Sequence, residues 1–344
     1  MKSVASSAMW RRDRGAVPLL PGWSGRVTAI AAVALAAAGC ELTEVTVELP
    51  EDVIVAEVQV VLTLPHDDDA PALTVWALLH RTYQPEGAPS LSGAVVTVSG
   101  ESGDTVRLVE QDGIEPCLLP DTAEDFSSPG AACYRAERAS APFAPGEVLS
   151  LRIRAADGRV LTGASVVPGA FSLIGLTQVD GRCRLQPDTN YRFQWTPADD
   201  SWAYITDARL EGLAAAFASR GINAPDTLYL AGVSIGREDT DIVFPRNLGV
   251  FDFFDGDEDE REVIRALKNG LPEGSRAAVA ITAVDRNWVN WARGGNFNPS
   301  GEVRIPSVFG EGTGMFGTAT QRRVRIRSSL RGPGEPPLCG PVWN

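Results

Sequence analysis

Gly146-Glu-Val-Leu-Ser-Leu-Arg-Ile-Arg154 decides the fold class of this chain. Leu149, Leu151 and Ile153 alternate with Ser150, Arg152 and Arg154, the period-two pattern of a strand buried on one side only. Asp157-Gly158 then supplies a pair suited to a tight turn, and Arg159-Val-Leu-Thr162 returns as the partner strand. Upstream, Val45, Val47 and Leu49 alternate, and residues 53–64 are β-branched and nearly continuous. Leu73-Thr-Val-Trp-Ala-Leu-Leu79 and Ala94-Val-Val-Thr-Val98 follow, separated by Pro, Gly and Asp clusters. Short strands at this spacing, with no helical segment between them, predict an antiparallel β-sandwich of the immunoglobulin or transthyretin kind.

Val167-Pro-Gly169 punctuates the chain and predicts a domain boundary there. Beyond it, Tyr191, Phe193 and Trp195 alternate, Trp202-Ala-Tyr204-Ile resumes a strand, and 227–235, 241–244, 277–284 and 323–327 read as further strands. Two helices interrupt them. Asp207 is placed to cap one, with Leu210, Leu213, Ala214 and Phe217 on one face and Gly221 at its end. The other starts in the acidic run Asp257-Glu-Asp-Glu260, favourable at a helix N-terminus, and buries Val263, Ile264 and Leu267 before Gly270. The expected chain is therefore mainly β: a sandwich over 40–168, a second sandwich-like domain with helical insertions over 169–331, and a Pro/Gly-rich tail over 332–344.

Residues 1–39 have the anatomy of a secretory signal: Lys2, Arg11, Arg12, Arg14 and Arg26 precede a short apolar run that ends in small residues. That run is too short and too Ala-rich for a good membrane span. Its close, Leu35-Ala-Ala-Ala-Gly39-Cys40, resembles a bacterial lipobox, although Ala37 stands where Leu is usual. The resemblance implies that Cys40 is the lipid-attachment residue and that acyl chains anchor the mature protein in a membrane. Cleavage after one of the alanines, with Cys40 a free thiol, is the alternative. Glu41, rather than Asp, follows the cysteine, which by the same resemblance directs the protein to the outer membrane of a Gram-negative envelope.

The chain carries a net charge of −13, and loss of the leader's five basic residues and Asp13 lowers it by four more. Such an acidic protein has no electrostatic reason to bind nucleic acid. Besides Cys40 it has Cys117, Cys133, Cys183 and Cys339. An even number in an exported chain points to disulfides, while two histidines and no CxxC spacing argue against zinc. Pairing Cys117 with Cys133 and Cys183 with Cys339 respects the expected boundary, the second bridge joining the start of the second half to the C-terminal tail.

Several short motifs together resemble an uncharacterised family of bacterial outer-membrane lipoproteins, a domain of unknown function. They are the lipid cysteine, the strand Ser92-Gly-Ala-Val-Val96, the strand and Asp-Gly-Arg turn from Pro145 to Arg159, Asp252-Phe-Phe-Asp255-Gly256, and Val308-Phe-Gly-Glu-Gly312-Thr-Gly314-Met-Phe316-Gly317. The last of these lacks the family's usual Asn. The resemblance implies a non-catalytic accessory at the envelope, associated with an outer-membrane receptor of the TonB-dependent kind, and it brings no active site.

Candidate chemistry is sparse. Gly232-Val-Ser234-Ile-Gly236 fits a nucleophile elbow, but His66 and His80 both precede it and no helix pattern follows, so a strand ending in a glycine turn is preferred. Gly312-Thr-Gly314-Met-Phe-Gly317 formally matches a dinucleotide fingerprint without the surrounding βαβ unit, and reads as a turn that lets backbones approach closely. Asp252, Asp255, Asp257 and Asp259 are the candidate metal ligands, calcium being the cation that dense oxygen donors suit. EF-hand spacing fails there, and a solvated loop feeding a helix explains the same residues. Trp288, Trp291 and Phe297, set among asparagines, form the candidate binding surface for a protein partner or a glycan, against core packing as the alternative. In an extended segment the two tryptophans, three apart, would face opposite sides; in a helical one both would lie on one face. The expected function is thus a tethered binding or assembly role without catalysis; the alternative is a surface glycan hydrolase with paired carboxylates.

Overall fold

The structure is a computed structural model that describes residues 52–341 except 67–69, 83–89, 119–129, 235, 251–257, 294–303, 331 and 333. Residues from Pro50 onward form one compact unit. Strands take up 47% of the chain and helices 10%, so the fold is mainly β, as the alternation predicts. The first strands are β1 (Ile54–Thr63), β2 (Ala72–Arg81), β3 (Val95–Gly100), β4 (Thr105–Arg107), β5 (Val109–Glu110), β6 (Ala132–Arg138), β7 (Val148–Arg154) and β8 (Val160–Val166). Then come β9 (Leu173–Ile174), β10 (Arg182–Leu185), β11 (Tyr191–Trp195), β12 (Ala203–Glu211), α1 (Leu213–Ala218), β13 (Thr227–Val233), β14 (Asp241–Phe244) and β15 (Gly249–Val250). The chain ends with α2 (Glu258–Leu267), β16 (Arg276–Val284), α3 (Arg286–Arg293), β17 (Val308–Gly310) and β18 (Gly312–Ser328).

β18 organises everything else. It is 17 residues long, and its two halves have different neighbours. The first half pairs in parallel with β1 and touches β17; the second lies between β16 and β10. Around the first half, one layer runs β18-β1-β2-β6-β5 and the other β17-β8-β7-β3-β4. Alternate residues fill the space between them: Val58 and Val60, Val75 and Ala77, Val96 and Val98, and Leu149, Leu151 and Ile153. The β7–β8 hairpin turns through Gly158 at φ 95°, and Ser150, Arg152 and Arg154 face solvent. Val308 and Phe316, from the far end of the sequence, belong to this same core.

The second core lies between β13-β12-β16-β18-β10 and a small sheet of β14-β11-β9. Tyr191, Phe193 and Trp195 fill it from β11, as their alternation predicts, with Phe193 edge-on to Tyr191 at 4.9 Å. Leu213 and Phe217 of α1 and Val263 and Leu267 of α2 close its ends. Both disulfides form as expected, Cys117–Cys133 and Cys183–Cys339. The second fastens the C-terminal tail, whose backbone also bonds that of Arg184.

Two local expectations are corrected, and one open alternative is decided. Asp207 does not cap a helix; it lies within β12. Tyr204, Thr206, Ala208 and Leu210 are buried in period two, and β13 and β16 satisfy the backbone on either side. Only Leu213–Ala218 is helical, entered through Gly212 at φ 77°. The Gly312–Gly317 segment is not a turn but the start of β18; the close backbone approach expected of it does occur, against β1. Of the two conformations open for the segment around Trp288 the helical one forms, and Asp285 accepts hydrogen bonds from the backbone N–H groups of Asn287 (3.2 Å) and Trp288 (3.0 Å) at its start. Cys40, residues 1–39, Phe297, Asp252, Asp255 and Asp257 lie outside the described residues, as does the side chain of Asp259.

Candidate functional site

The β12-β16-β18 sheet has one face in the second core and one turned outward. On the outer face, register aligns Ala203, Val284, Ala319 and Val61 across four strands, and Ile205 with Thr282 and Gln321 in the next row. The apolar members of these rows need cover, and α3 supplies it: Val289 is buried there and Trp288 packs beside it. Trp288 lies over Gly317, where an added Cβ would meet the Trp288 Cβ at 3.4 Å, an ordinary contact.

Asp285 fixes α3 to the sheet. It is the one buried carboxylate among the described residues. Ser165 of β8 donates to its Oδ2 at 2.6 Å and also lies 2.8 Å from the Thr318 hydroxyl, which donates to the Val166 carbonyl. Asn287 Nδ2 adds bonds to the carbonyls of Ala164 and Phe316, both at 2.9 Å. Burial raises the Asp285 pKa, opposed by the Ser165 and backbone hydrogen bonds. A Ser–Asp contact in this setting is structural: it ties β8, β18 and α3 together, and both carboxylate oxygens are occupied.

At the rim of α3 the surface turns aromatic and cationic. The Arg237 guanidinium lies 3.7 Å from the Trp202 ring centre and that of Arg286 lies 5.0 Å from it. Arg304 stands 4.8 Å over Trp291 and pairs with Glu57 of β1 at 3.8 Å. Trp202, Trp288 and Trp291 are all half-buried, and Val233, opposite Ile205 on β13, is 60% exposed. Helix α3 therefore presents the two predicted tryptophans on one side, three residues apart. Trp202 escaped the sequence reading because it stands where a strand begins and was counted only as strand signal.

The other half of the outer face is polar. Arg323, Arg325 and Arg327 alternate along β18, Ala280 and Ala278 lie beside the first two on β16, and Asp207, Arg209 and Glu211 line β12. Arg322 points the other way and donates to the carbonyls of Phe171 and Pro65. Lack of solvation pushes the Asp207 carboxyl up to about 6, with Arg323 pulling it down; its side chain still reaches solvent, so water screens part of this rise. Past Arg323, a shallow open cleft of about 500 Å³ is lined by Thr63, His66, Ala139 and Ser140 among others. The histidine there is 2.8 Å from the Gln178 amide.

The Ser234 hydroxyl accepts the Tyr204 backbone N–H at 2.7 Å. Among the described residues no group of three or more His, Cys, Asp or Glu is placed to hold a metal.

No protein-family model and no curated protein matches this chain. Among solved structures it is similar to a DUF4785 family protein from Legionella pneumophila, at 10% identity and a TM-score of 0.22, over 66% of this chain and 51% of that one. It is also similar to trypsin-activated alpha-2-macroglobulin from Escherichia coli, at 10% identity and a TM-score of 0.20, over 79% of this chain and 15% of that one. The chain thus spans about half the length of the Legionella protein, itself a member of a family of unknown function.

Proposed function

We propose that this is a lipid-anchored, non-catalytic protein of the cell envelope that binds a protein partner, in the manner of a receptor accessory, through the surface around Trp202. The observation that carries the reading is the Trp202 ring in contact with the guanidinium groups of both Arg237 and Arg286, near the half-buried tryptophans of α3. Trp and Arg dominate the energetics of protein interfaces, and rings already ordered by stacking lose little further entropy on binding. The hydrolase alternative requires two acids facing one cleft, whereas the buried Asp285 is consumed in holding α3.

A photo-crosslinking residue in place of Val233 tests the surface in intact cells. One discrete adduct with another envelope protein, identified by mass spectrometry, is the expected result; no adduct contradicts it. The anchor is tested separately. Cys40→Ala is expected to move the protein from the membrane fraction to the soluble one, and unchanged partition with an unmodified mature N-terminus would exclude acylation.

A further inference from the structure

The sandwich around the first core is asymmetric in charge. Its layer of β3, β4, β7, β8 and β17 holds no Asp or Glu in any strand, in a chain with 44 of them. The outward positions of that layer are hydroxyl, apolar or arginine. Arg107, Thr97, Arg152, Thr162 and Phe309 stand in one register row across the five strands, and Arg154 follows two residues along β7. All three arginines are exposed, and none has an ion-pair partner among the described residues. Phe309 is 58% exposed in the same row. The opposite layer is mixed instead: it carries Glu57, Glu110 and Glu137, and Arg135 pairs with Glu137 at 2.6 Å.

The place where the chain enters the fold selects an occupant for this face. Asp52, the first described residue, pairs with Arg81, which also lies 4.0 Å from Asp157 in the β7–β8 turn. β1 starts alongside, since a Cβ on Gly312 would meet both the Ile54 carbonyl and the Leu161 side chain of β8. The chain leading back to Cys40 therefore leaves at the rim of the arginine face, at the end of β7 that carries Arg154. The 12 residues from Cys40 to Asp52 span at most about 40 Å. An acylated Cys40 thus keeps the face within reach of the bilayer that holds the anchor. The acids at this rim are occupied, Asp157 by Arg159 at 2.8 Å and Glu311 by the Val160 N–H at 2.9 Å. Physiological salt screens charges more than about 8 Å away, so the face, and not the net charge of −13, decides what docks there.

We propose that the outer face of β4-β3-β7-β8-β17 docks on the anionic bilayer surface, with headgroup phosphates on Arg107, Arg152 and Arg154 and the Phe309 ring at the headgroup boundary. The proposal rests on the lipid anchor of the proposed function and makes no use of the surface around Trp202. Each arginine near an anionic bilayer contributes only a weak attraction, but the anchor makes the contact intramolecular, so weak attractions suffice.

The test uses the acylated chain purified from membranes, with Thr162→Cys carrying an environment-sensitive fluorophore at the centre of the face. It is reconstituted into vesicles of phosphatidylethanolamine with phosphatidylglycerol, or of phosphatidylcholine alone. Spin-labelled lipids are expected to quench the fluorophore in the phosphatidylglycerol vesicles and not in phosphatidylcholine, and high salt to reverse the quenching. The triple substitution Arg107→Gln/Arg152→Gln/Arg154→Gln is expected to lower the ratio of docked to free face at least about tenfold, while the protein still floats with the vesicles. Should that variant fail to fold, Arg152→Gln alone is expected to lower the ratio about fivefold. Flotation without quenching, or quenching untouched by the arginine substitutions, overturns the docking face and leaves the anchor standing. Failure of the parent chain to float in high salt overturns the anchor, and the docking face with it. A discrete protein adduct from a photo-crosslinker at Thr162 in cells, with no quenching in vesicles, would assign the face to a protein partner instead.

Discussion

Gly314→Val is expected to abolish folding or to cost at least about 3 kcal/mol, the range of severe backbone and core clashes. Gly314 lies in β18 at φ 143°, a conformation L side chains rarely adopt. A Cβ there would fall on the carbonyl oxygen of Ala56 and within 2.7 Å of its nitrogen, both backbone atoms of β1. Neither strand can yield. β1 is held on its other side by β2 along its whole length, and Ile54, Ala56, Val58 and Val60 are buried in the first core. Gly312 is under similar constraint, its Cβ position lying 2.6 Å from the Ile54 carbonyl oxygen. Gly317 is the control. An added methyl there meets Trp288 at 3.4 Å, so Gly317→Ala is expected to cost far less than Gly314→Val in urea denaturation. Equal stability of the Gly314→Val variant and the parent chain would contradict this account of β18.

Loss of the Cys183–Cys339 bridge should produce the other large effect. It closes a separation of 156 residues, against 16 for Cys117–Cys133. Loop-closure entropy alone assigns about 5 kcal/mol to the longer bridge and about 3 to the shorter. Native contacts widen the difference. Cys183 and Cys339 are fully buried in the second core, and the tail backbone bonds Arg184 twice, Arg184 N–H to Pro337 and Cys339 N–H to Arg184. Paired Cys→Ser variants should therefore both lower the denaturation midpoint, with the Cys183/Cys339 variant well below the other. The reverse order would show that the tail is peripheral to the second core.

The sequence made the layered β architecture legible wherever alternation was clean. Leu149, Leu151 and Ile153, and Tyr191, Phe193 and Trp195, are buried as read, because a strand exposed on one face leaves its period in the residues. Pairing partners were not legible. That Val308 and Phe316 complete the first core depends on β1 running parallel to β18, a contact across more than two hundred residues that no local pattern encodes. Asp207 misled because Leu210, Leu213 and Phe217 also fit a helical spacing, and the tertiary demand of a central strand overrode it. The glycines of β18 read as a turn because residue type reports backbone freedom, not which strand lies alongside.

The candidate surface was half legible. Trp288 and Trp291 could be named from composition, but their helix depends on Asp285, whose buried partners Ser165 and Thr318 lie far off in sequence. The alternation of Arg323, Val324, Arg325, Ile326 and Arg327 showed a strand. Only sheet register showed that Arg182 stands beside Arg325 and Arg276 beside Arg327.

The central claim is that the face around Trp202 binds a protein partner, and the most direct test is the affinity of Trp202→Ala for the partner cross-linked from position 233. A ring at the centre of an interface contributes 2 kcal/mol or more, so affinity should fall at least about thirtyfold. The melting temperature should change little, since Trp202 is half-buried at the rim rather than in either main core. Unchanged affinity, or a loss of affinity accompanied by loss of the fold, would contradict the account.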